Sequence, residues 1–471
     1  MNKKLQQAKY VFSDYFSAAI AWMIFFSYRK FLVNPDLFNN PELVLGDPNL
    51  YIGILIIPFF WLILFIIAGA YRKIYRKSRI KEITQTFSTV FIGVVIIFFT
   101  LLLDDVVPSY RNYFESFLVL FGSQFLITST FRLVLTTRTV KKIHRKIIGF
   151  NTIIVGSNKN AVELFMQLDG QFPSSGNKFV GFVNAKEYNK YLLEKHLPHL
   201  GHYTDLPKLV KELEVEELVI AIERSETQLV EKILTEIEDT DVVIKIIPGM
   251  QDYLLGSVKT TSIFTEPLVQ ISPYMMPPWQ ESIKRIIDIV ASLVAIVMLS
   301  PVYIFLFLGV KLSSKGPVFY WHERIGLHGK KFMIPKFRSM KVGAEKGTPQ
   351  LSSENDSRIT TFGKFMRKVR LDELPQFFTV IKGEMSLVGY RPERQFFIDQ
   401  IIQRAPHYRL LFKIKPGITS WGQVKFGYAS NVDEMVQRLK YDILYVENMS
   451  LAMDFKIMFY TALIIVQGRG K

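Results

Sequence analysis

Four long apolar stretches crowd the first 135 residues, and they constrain this chain more than any other feature. They run over Val11–Tyr28, Tyr51–Ala70, Ile83–Leu103 and Tyr113–Leu135. Each is close to the ~20 residues a helix needs to cross a bilayer. Few charges fall inside them: Asp14 near one end of the first, Glu115 and Arg132 near the ends of the fourth. No short apolar core followed by a small-residue cleavage site opens the chain, so a signal peptide is not expected.

The flanking charges give an orientation. Lys3, Lys4 and Lys9 precede the first stretch. Arg72, Lys73, Arg76, Lys77, Arg79 and Lys81 separate the second from the third, and Arg138, Lys141, Lys142, Arg145 and Lys146 follow the fourth. The other two loops carry Asp36, Glu42, Asp47, Asp104 and Asp105 against Arg29, Lys30 and Arg111. Positive loops stay inside. Both the N-terminus and everything after residue 136 are therefore expected on the cytoplasmic face of the membrane.

A fifth apolar run, Ile286–Val310, is different in kind. Asp288 lies near its start and Ser300-Pro301 at its middle. Lys284 and Arg285 precede it, and Lys311 and Lys315 follow. Basic residues on both flanks place both ends on one side, and proline interrupts a helix. A broken helix over 283–310 that enters the membrane and returns fits these features better than a fifth crossing.

Residues 146–270 alternate strand and helix patterns. Strands are expected at Asn151–Val155, Phe179–Val183, Leu218–Ile222 and Val242–Ile247, the last ended by Pro248-Gly249. Helices are expected at Ala161–Leu168, Leu206–Leu213 and Thr227–Ile237. That order implies a Rossmann-like parallel sheet with helices on its faces. The first strand runs into Gly156-Ser157-Asn158-Lys159-Asn160-Ala161, with one glycine where a dinucleotide turn carries three. A scaffold or regulatory role is the simpler reading. His196, His199 and His202 are spaced by three, but Pro198 and Gly201 interrupt any helix that would align them, so a metal-free loop is expected.

The chain is basic, +16 overall, with no cysteine, which removes disulfides, thiolate metal sites and cysteine nucleophiles together. Most of the excess lies after residue 280, where Lys and Arg number 29 against 16 Asp and Glu. No nucleic-acid module is visible there, so phosphorylated small molecules and membrane lipids are the expected anionic partners, not nucleic acid. Four clusters stand out: Lys336–Met340, Asp356–Thr360, Arg367–Gln376 and Ser386–Glu393. The third carries Asp372-Glu373. Asp372 is expected to cap a helix that tolerates Pro375 in its first turn and ends at Gly383. One acid can attack or hold a metal while the other moves a proton or shapes the site. A Mg²⁺ ion would take one or two such carboxylates plus substrate phosphates. Arg367 and Arg370, with Lys336, Arg338, Arg358 and Arg391, suit a pyrophosphate.

These residues fall into a wider pattern. Lys284-Arg285-x-x-Asp288, Ser300-Pro301, Gly316–Tyr320, Lys336–Met340, Leu371–Gln376, Lys382–Gly389, Arg391-Pro392-Glu393, Lys415–Thr419, Tyr441-Asp442 and Asn448-x-Ser450-Leu451-x-x-Asp454 occur in order. The stretch from 280 to 471 resembles the bacterial sugar transferases, or polyprenyl-phosphate hexose-1-phosphate transferases. The whole chain resembles their long, polytopic subgroup. The resemblance implies transfer of a sugar-1-phosphate from a UDP-sugar to undecaprenyl phosphate with release of UMP, the first membrane step of a polysaccharide or O-antigen repeat. It implies Asp372 as nucleophile, Mg²⁺ at the Asp372-Glu373 pair, phosphate contacts from Arg367, a re-entrant helix broken at Ser300-Pro301, and suggests a homodimer. The expected architecture is thus a membrane protein in three parts. Residues 1–140 form four transmembrane helices and 146–270 a Rossmann-like α/β domain. Residues 280–471 form a mainly α, monotopic catalytic domain. Departures occur at Ser420 and Gly422 within Gly417–Gln423, at His322 where Gln is common, and at Pro335. Two rivals carry different requirements. A membrane-bound nucleotide-sugar dehydratase needs a Gly-rich NAD turn and a Tyr-x-x-x-Lys pair. A nucleotide-sensing scaffold would release no UMP.

Overall fold

The computed structural model describes residues 3–33, 42–102, 110–187, 190–222, 227–237, 240, 242–247, 268–271, 276–344 and 356–467. It divides into two compact units. One comprises Met1–Phe150 with Met166–Lys178, the other Asn151–Phe165 with Phe179–Lys471. Asp36, Asp104, Asp105 and Pro248-Gly249 lie outside the described residues.

The first unit is built on helices α1 (Lys3–Val33), α2 (Pro48–Ile67), α3 (Arg79–Ile97) and α4 (Tyr110–His144). Each is long and apolar enough to cross a membrane. Their starts follow local chemistry. Asp47 accepts from the Asn49 amide ahead of Pro48, and Ser78 accepts from the Lys81 amide. Helix α1 packs on α2 and α4, and α3 packs on α4. Phe25, Trp61, Phe65, Val90, Val94 and Leu120 fill the space between them. Large apolar side chains such as Phe12, Phe16, Ile63 and Ile92 point outward. That inverted surface suits hydrocarbon rather than water.

Helices α1 and α4 overrun their apolar stretches at both ends, which puts Asp14 and Arg132 well inside the helices. Both are fully buried. Arg132 donates Nε and Nη2 to the two oxygens of Asp14 at 2.7 Å each, and Nη1 to Glu82 at 3.2 Å. Lys77 reaches Glu82 at 3.2 Å, and the Tyr71 hydroxyl donates to Asp14 at 2.7 Å. Two cations thus balance two anions, as buried charges in an apolar bundle require.

In the second unit a six-stranded sheet runs in the order β3-β2-β1-β4-β5-β6. The strands are β1 (Phe150–Val155), β2 (Asn177–Asn184), β3 (His199–His202), β4 (Glu217–Ile220), β5 (Val243–Ile246) and β6 (Val269–Ile271). Helices α5 (Lys159–Gly170), α6 (Leu206–Glu212) and α7 (Thr227–Glu236) connect them. Pairing is parallel except for β6, which runs antiparallel to β5. The parallel α/β pattern matches the expectation, with two additions. Strand β3 forms where a loop was expected, with His199 Nε2 3.0 Å from Asn184 Oδ1. Strand β6 carried too short an apolar run to read. Gly156 has a φ of 114°, and a Cβ there would lie 2.7 Å from the Ala221 carbonyl oxygen. The single glycine of the β1 turn therefore serves close approach to the end of β4.

The remainder of this unit begins with α8 (Pro278–Met298) and α9 (Ser300–Ser313), bent by 62°. Leu299 forms the joint, and Pro301 sits in the first turn of α9, where its missing amide costs nothing. A hairpin of β7 (Phe319–Ile325) and β8 (Lys331–Phe337) follows. Next come α10 (Thr361–Lys368), α11 (Gln376–Lys382) and the parallel pair β9 (Ser386–Val388) and β10 (Gly417–Thr419). Helices α12 (Val432–Glu447) and α13 (Leu451–Val466) close the chain. This part is mainly helical, around a core of Tyr390, Ile398, Ile401, Leu411, Leu439 and Tyr445.

The bent helix is tied to the segment that carries the acid pair. Arg285 donates to the carbonyls of Val380 and Ile381 at 2.7 and 2.8 Å, on the last turn of α11. Tyr303 donates to the Leu374 carbonyl at 2.7 Å, just past Glu373. Lys284 donates to the Val388 carbonyl and to Asp454 at 2.9 and 2.6 Å, while Asp288 accepts from the Leu387 amide at 3.0 Å. The Lys284-Arg285-x-x-Asp288 motif thus ties the bent helix to α11 through Arg285 and to β9 and α13 through Lys284 and Asp288.

Candidate active site

Asp372 and Glu373 lie on one tight 3₁₀ turn, Leu371–Glu373, with Pro375 as the residue that caps α11. Asp372 therefore does not cap the helix as the sequence suggested, because the extra turn lifts it clear of the α11 amides. Gly383 ends α11 with a φ of 95° and donates to the Thr379 and Val380 carbonyls, as expected of a C-terminal glycine. Arg370, just ahead of the turn, holds a left-handed backbone at φ 60°.

The two acids are both buried, with 6% and 7% of their surface exposed, yet they are held differently. Glu373 Oε1 accepts from Lys336 Nζ at 2.6 Å and from Arg391 at 3.0 Å, and Arg370 lies 3.6 Å from Oε2. Among the described residues, no donor hydrogen-bonds the Asp372 carboxylate. Burial pushes its carboxyl above the usual aspartate range, against the pull of Lys336, Arg367 and Arg370. Burial alone would raise Glu373 as well. There Lys336, Arg391 and Arg370 win and hold it well below the usual range. The result is one fixed anion beside one bare, desolvated carboxylate.

The other expected cations sit further out. Arg367 Nε donates to Ser339 Oγ at 2.9 Å and acts on Asp372 through its charge. Arg338 donates to the Ser314 carbonyl and hydroxyl at 2.6 and 3.0 Å, and its buried Nε and Nη1 have no partner among the described residues. Arg358 grips Asp356, with Nη2 to Oδ2 at 2.6 Å, and draws that carboxyl down to about 2. Ser300 and Pro301 mark the helix joint and not the acid pair. Among the described residues, Lys336, Arg391 and Arg370 are the cations that meet Glu373 directly.

Three further residues shape the site without having been given a role in it from the sequence. Glu393, buried, accepts from Arg324 and Arg438 at 2.9 and 2.8 Å and so fixes the backbone next to Arg391. His322 is buried on β7. Burial first, then Arg324, Lys336, Arg394 and Arg391, hold its imidazole far below its usual titration and hence neutral. Tyr428 approaches from a distant loop. Beforehand, Glu393 stood out only as the end of the Arg391-Pro392-Glu393 motif and His322 only as a departure, while Tyr428 stood in no motif.

A magnesium ion can be tested against this donor set. Asp372 offers one open carboxylate, while the near oxygen of Glu373 is taken by cations. No group of three acidic or histidine ligands exists among the described residues. Such a site fits Mg²⁺ only when substrate phosphates complete the shell, which is the usual habit of that ion.

Residues 279–468 match the bacterial sugar transferase family, and residues 66–248 match a CoA-binding domain family. A UDP-glucose:undecaprenyl-phosphate glucose-1-phosphate transferase of Klebsiella pneumoniae is 30% identical over 319 residues, covering 67% of this chain and 68% of that protein. The chain belongs to the bacterial sugar transferase family. Within this sugar transferase the acid pair and all its cationic partners lie inside the matched stretch. A UDP-N-acetylgalactosamine-undecaprenyl-phosphate N-acetylgalactosaminephosphotransferase of Aeromonas hydrophila is 39% identical over 224 residues, 48% of this chain. A UDP-glucose:undecaprenyl-phosphate glucose-1-phosphate transferase of Xanthomonas campestris pv. campestris is 33% identical over 298 residues, 62% of this chain. The matched stretch spans 52% of the Aeromonas protein and 61% of the Xanthomonas protein.

Proposed function

We propose that this sugar transferase moves a hexose-1-phosphate from a UDP-sugar to undecaprenyl phosphate through a covalent enzyme intermediate. The observation that carries the reading is the contrast within the acid pair: Glu373 is saturated by cations, and Asp372 is left bare. A carboxylate stripped of hydrogen bonds is a better nucleophile than a solvated one. An Asp372 oxygen attacks the phosphorus that bears the sugar. The bond from that phosphorus to the UMP oxygen breaks, and UMP departs with the electron pair. The phosphate oxygen of the lipid then attacks the same phosphorus and displaces Asp372. The carboxylate is restored, and a polyprenyl-diphosphate sugar is made.

Lys336, Arg391 and Arg370 offset the charge that builds on the phosphoryl oxygens, pre-positioned by Glu373. Mg²⁺, when bound by Asp372 and the phosphates, would supply further charge neutralisation. The bent α8–α9 pair is read as a re-entrant element. Its outward face is apolar at Val290, Leu293, Val297, Ile304 and Leu308. Its anchors at Arg285 and Tyr303 would hold the acid pair at headgroup height, on the cytoplasmic face where nucleotide sugars are found. Loading of exopolysaccharide, capsule or O-antigen repeats follows from that product.

The test uses the full chain in lipid nanodiscs with undecaprenyl phosphate. UMP release is followed with UDP-glucose, UDP-galactose and UDP-N-acetylgalactosamine in turn. Asp372→Asn is expected to abolish release, and rapid quench with a donor labelled in the sugar is expected to trap label on wild-type protein. Wild-type-like turnover of the variant would overturn the assignment.

A further inference from the structure

A side chain outside every motif completes the surroundings of the acid pair. Tyr428 follows Gly427, whose φ of 90° turns the chain out of the short helix Trp421–Lys425. The guanidinium of Arg370 lies 4.4 Å from the Tyr428 ring centroid and that of Arg391 lies 5.1 Å from it. Arg370 also hydrogen-bonds the Tyr428 hydroxyl. Both arginines in turn pair with Glu373, at 3.6 and 3.0 Å. The contacts close into a ring of Tyr428, Arg370, Glu373 and Arg391.

Two guanidiniums that share one carboxylate repel each other. An aromatic face attracts both, and it does so without neutralising either. Arg370 has a further need for restraint. Its left-handed backbone is disfavoured for a side-chain-bearing residue and persists only when surroundings hold it. Because Arg370 directly precedes the turn that carries Asp372, a loosened Arg370 also releases the nucleophile's backbone.

We propose that Tyr428 is a positioning residue for the transfer reaction, acting through Arg370 and Arg391 and not by touching the reacting atoms. This rests on the reading of Asp372 as the nucleophile. Tyr428 keeps 37% of its surface exposed, so truncating it removes little core packing. A loss of activity and a loss of fold are therefore separable.

The experiment measures UMP release and the rate of label trapping on the full-length protein in nanodiscs, with the UDP-sugar that supports turnover. Y428L is expected to lower kcat at least about tenfold, with KM for the UDP-sugar shifted less than about threefold. Y428F keeps the ring face and is expected to retain at least about a third of the wild-type kcat. In an R370M background, Y428L is expected to cost less than about threefold more, because its closer guanidinium and hydroxyl partner is already gone and only the more distant Arg391 remains. Should Y428L lose the wild-type thermal unfolding transition, Y428M replaces it. Wild-type kcat in the leucine or methionine variant, an effect confined to KM, equal damage in Y428F, or an undiminished tenfold loss on top of R370M would each overturn the inference. Wild-type protein that releases UMP yet never traps label refutes the nucleophile assignment instead. Trapping at the wild-type rate in Y428L refutes only the role of Tyr428.

Discussion

Lys336 Nζ lies 2.6 Å from Glu373 Oε1, while its charge also reaches the neighbouring Asp372, to which no described donor bonds. The lysine comes from the β8 strand and the acids from the turn ahead of α11, so the pairing joins hairpin to helix. K336M would leave Glu373 buried with fewer partners. Breaking a buried pair in this way costs on the order of 3 kcal/mol. Thermal unfolding is expected to show a clear drop in Tm for K336M, together with loss of UMP release. A variant of undiminished stability would mean that Arg391 and Arg370 suffice.

The acid pair has opposite linkage to pH. Burial raises the Asp372 carboxyl, so holding it ionised costs stability above its unfolded value of about 3.9. The Glu373 carboxyl is lowered. Its contribution is present above its unfolded value of about 4.3 and is lost as pH falls through the lower folded value. At pH 7, D372N is therefore expected to raise Tm and E373Q to lower it, with the Asp372 gain vanishing below about pH 4. The activity of wild type should fall on the acid side at a higher pH than an ordinary aspartate would give. Equal Tm shifts of one sign in both variants would contradict the contrast.

Tyr303 and Arg285 hydrogen-bond from the bent helix to backbone carbonyls of the acid-pair segment. Y303F removes one hydrogen bond, worth about 1 kcal/mol, and leaves the ring packing against Phe337 and Phe378. The variant is expected to fold normally but to turn over undecaprenyl phosphate more slowly. The comparison with a short-chain polyprenyl phosphate in detergent checks this. A uniform loss with both acceptors would mean that the bond serves the turn and not the membrane face.

Within the helical bundle, R132M strands Asp14 and Glu82 without their main cation. A buried pair broken from one side loses about 3–5 kcal/mol. The single variant is expected to express poorly or unfold at lower temperature. The combined D14N, E82Q and R132M variant should recover most of the loss. Failure of the triple variant to recover would show that the network does more than neutralise itself.

The absence of cysteine makes the topology directly measurable. With single cysteines introduced in intact cells, N49C is expected to react with an impermeant thiol reagent. K81C and K341C are expected to be protected. Labelling of K341C from outside would put the candidate active site on the wrong face for cytosolic UDP-sugars.

Much of the architecture could be read from the chain itself. Apolar length marks α1 to α4, and alternation of β-branched runs with amphipathic segments marks β1, β2, β4 and β5, because these patterns are local. The joint at Ser300-Pro301 and the terminal glycine Gly383 were legible for the same reason. Asp372 and Glu373 stood out by adjacency inside an ordered set of motifs. Tertiary structure decided the rest. It set Glu373 under three cations and left Asp372 bare, because the difference depends on Lys336 and Arg391 arriving from separate elements. It paired Asp14 with Arg132 across 118 positions of sequence. It brought Tyr428 to Arg370 from 58 positions away. Periodicity records which face of an element is buried. It holds no record of which distant charge will meet it there, and a carboxylate's reactivity is set by that meeting.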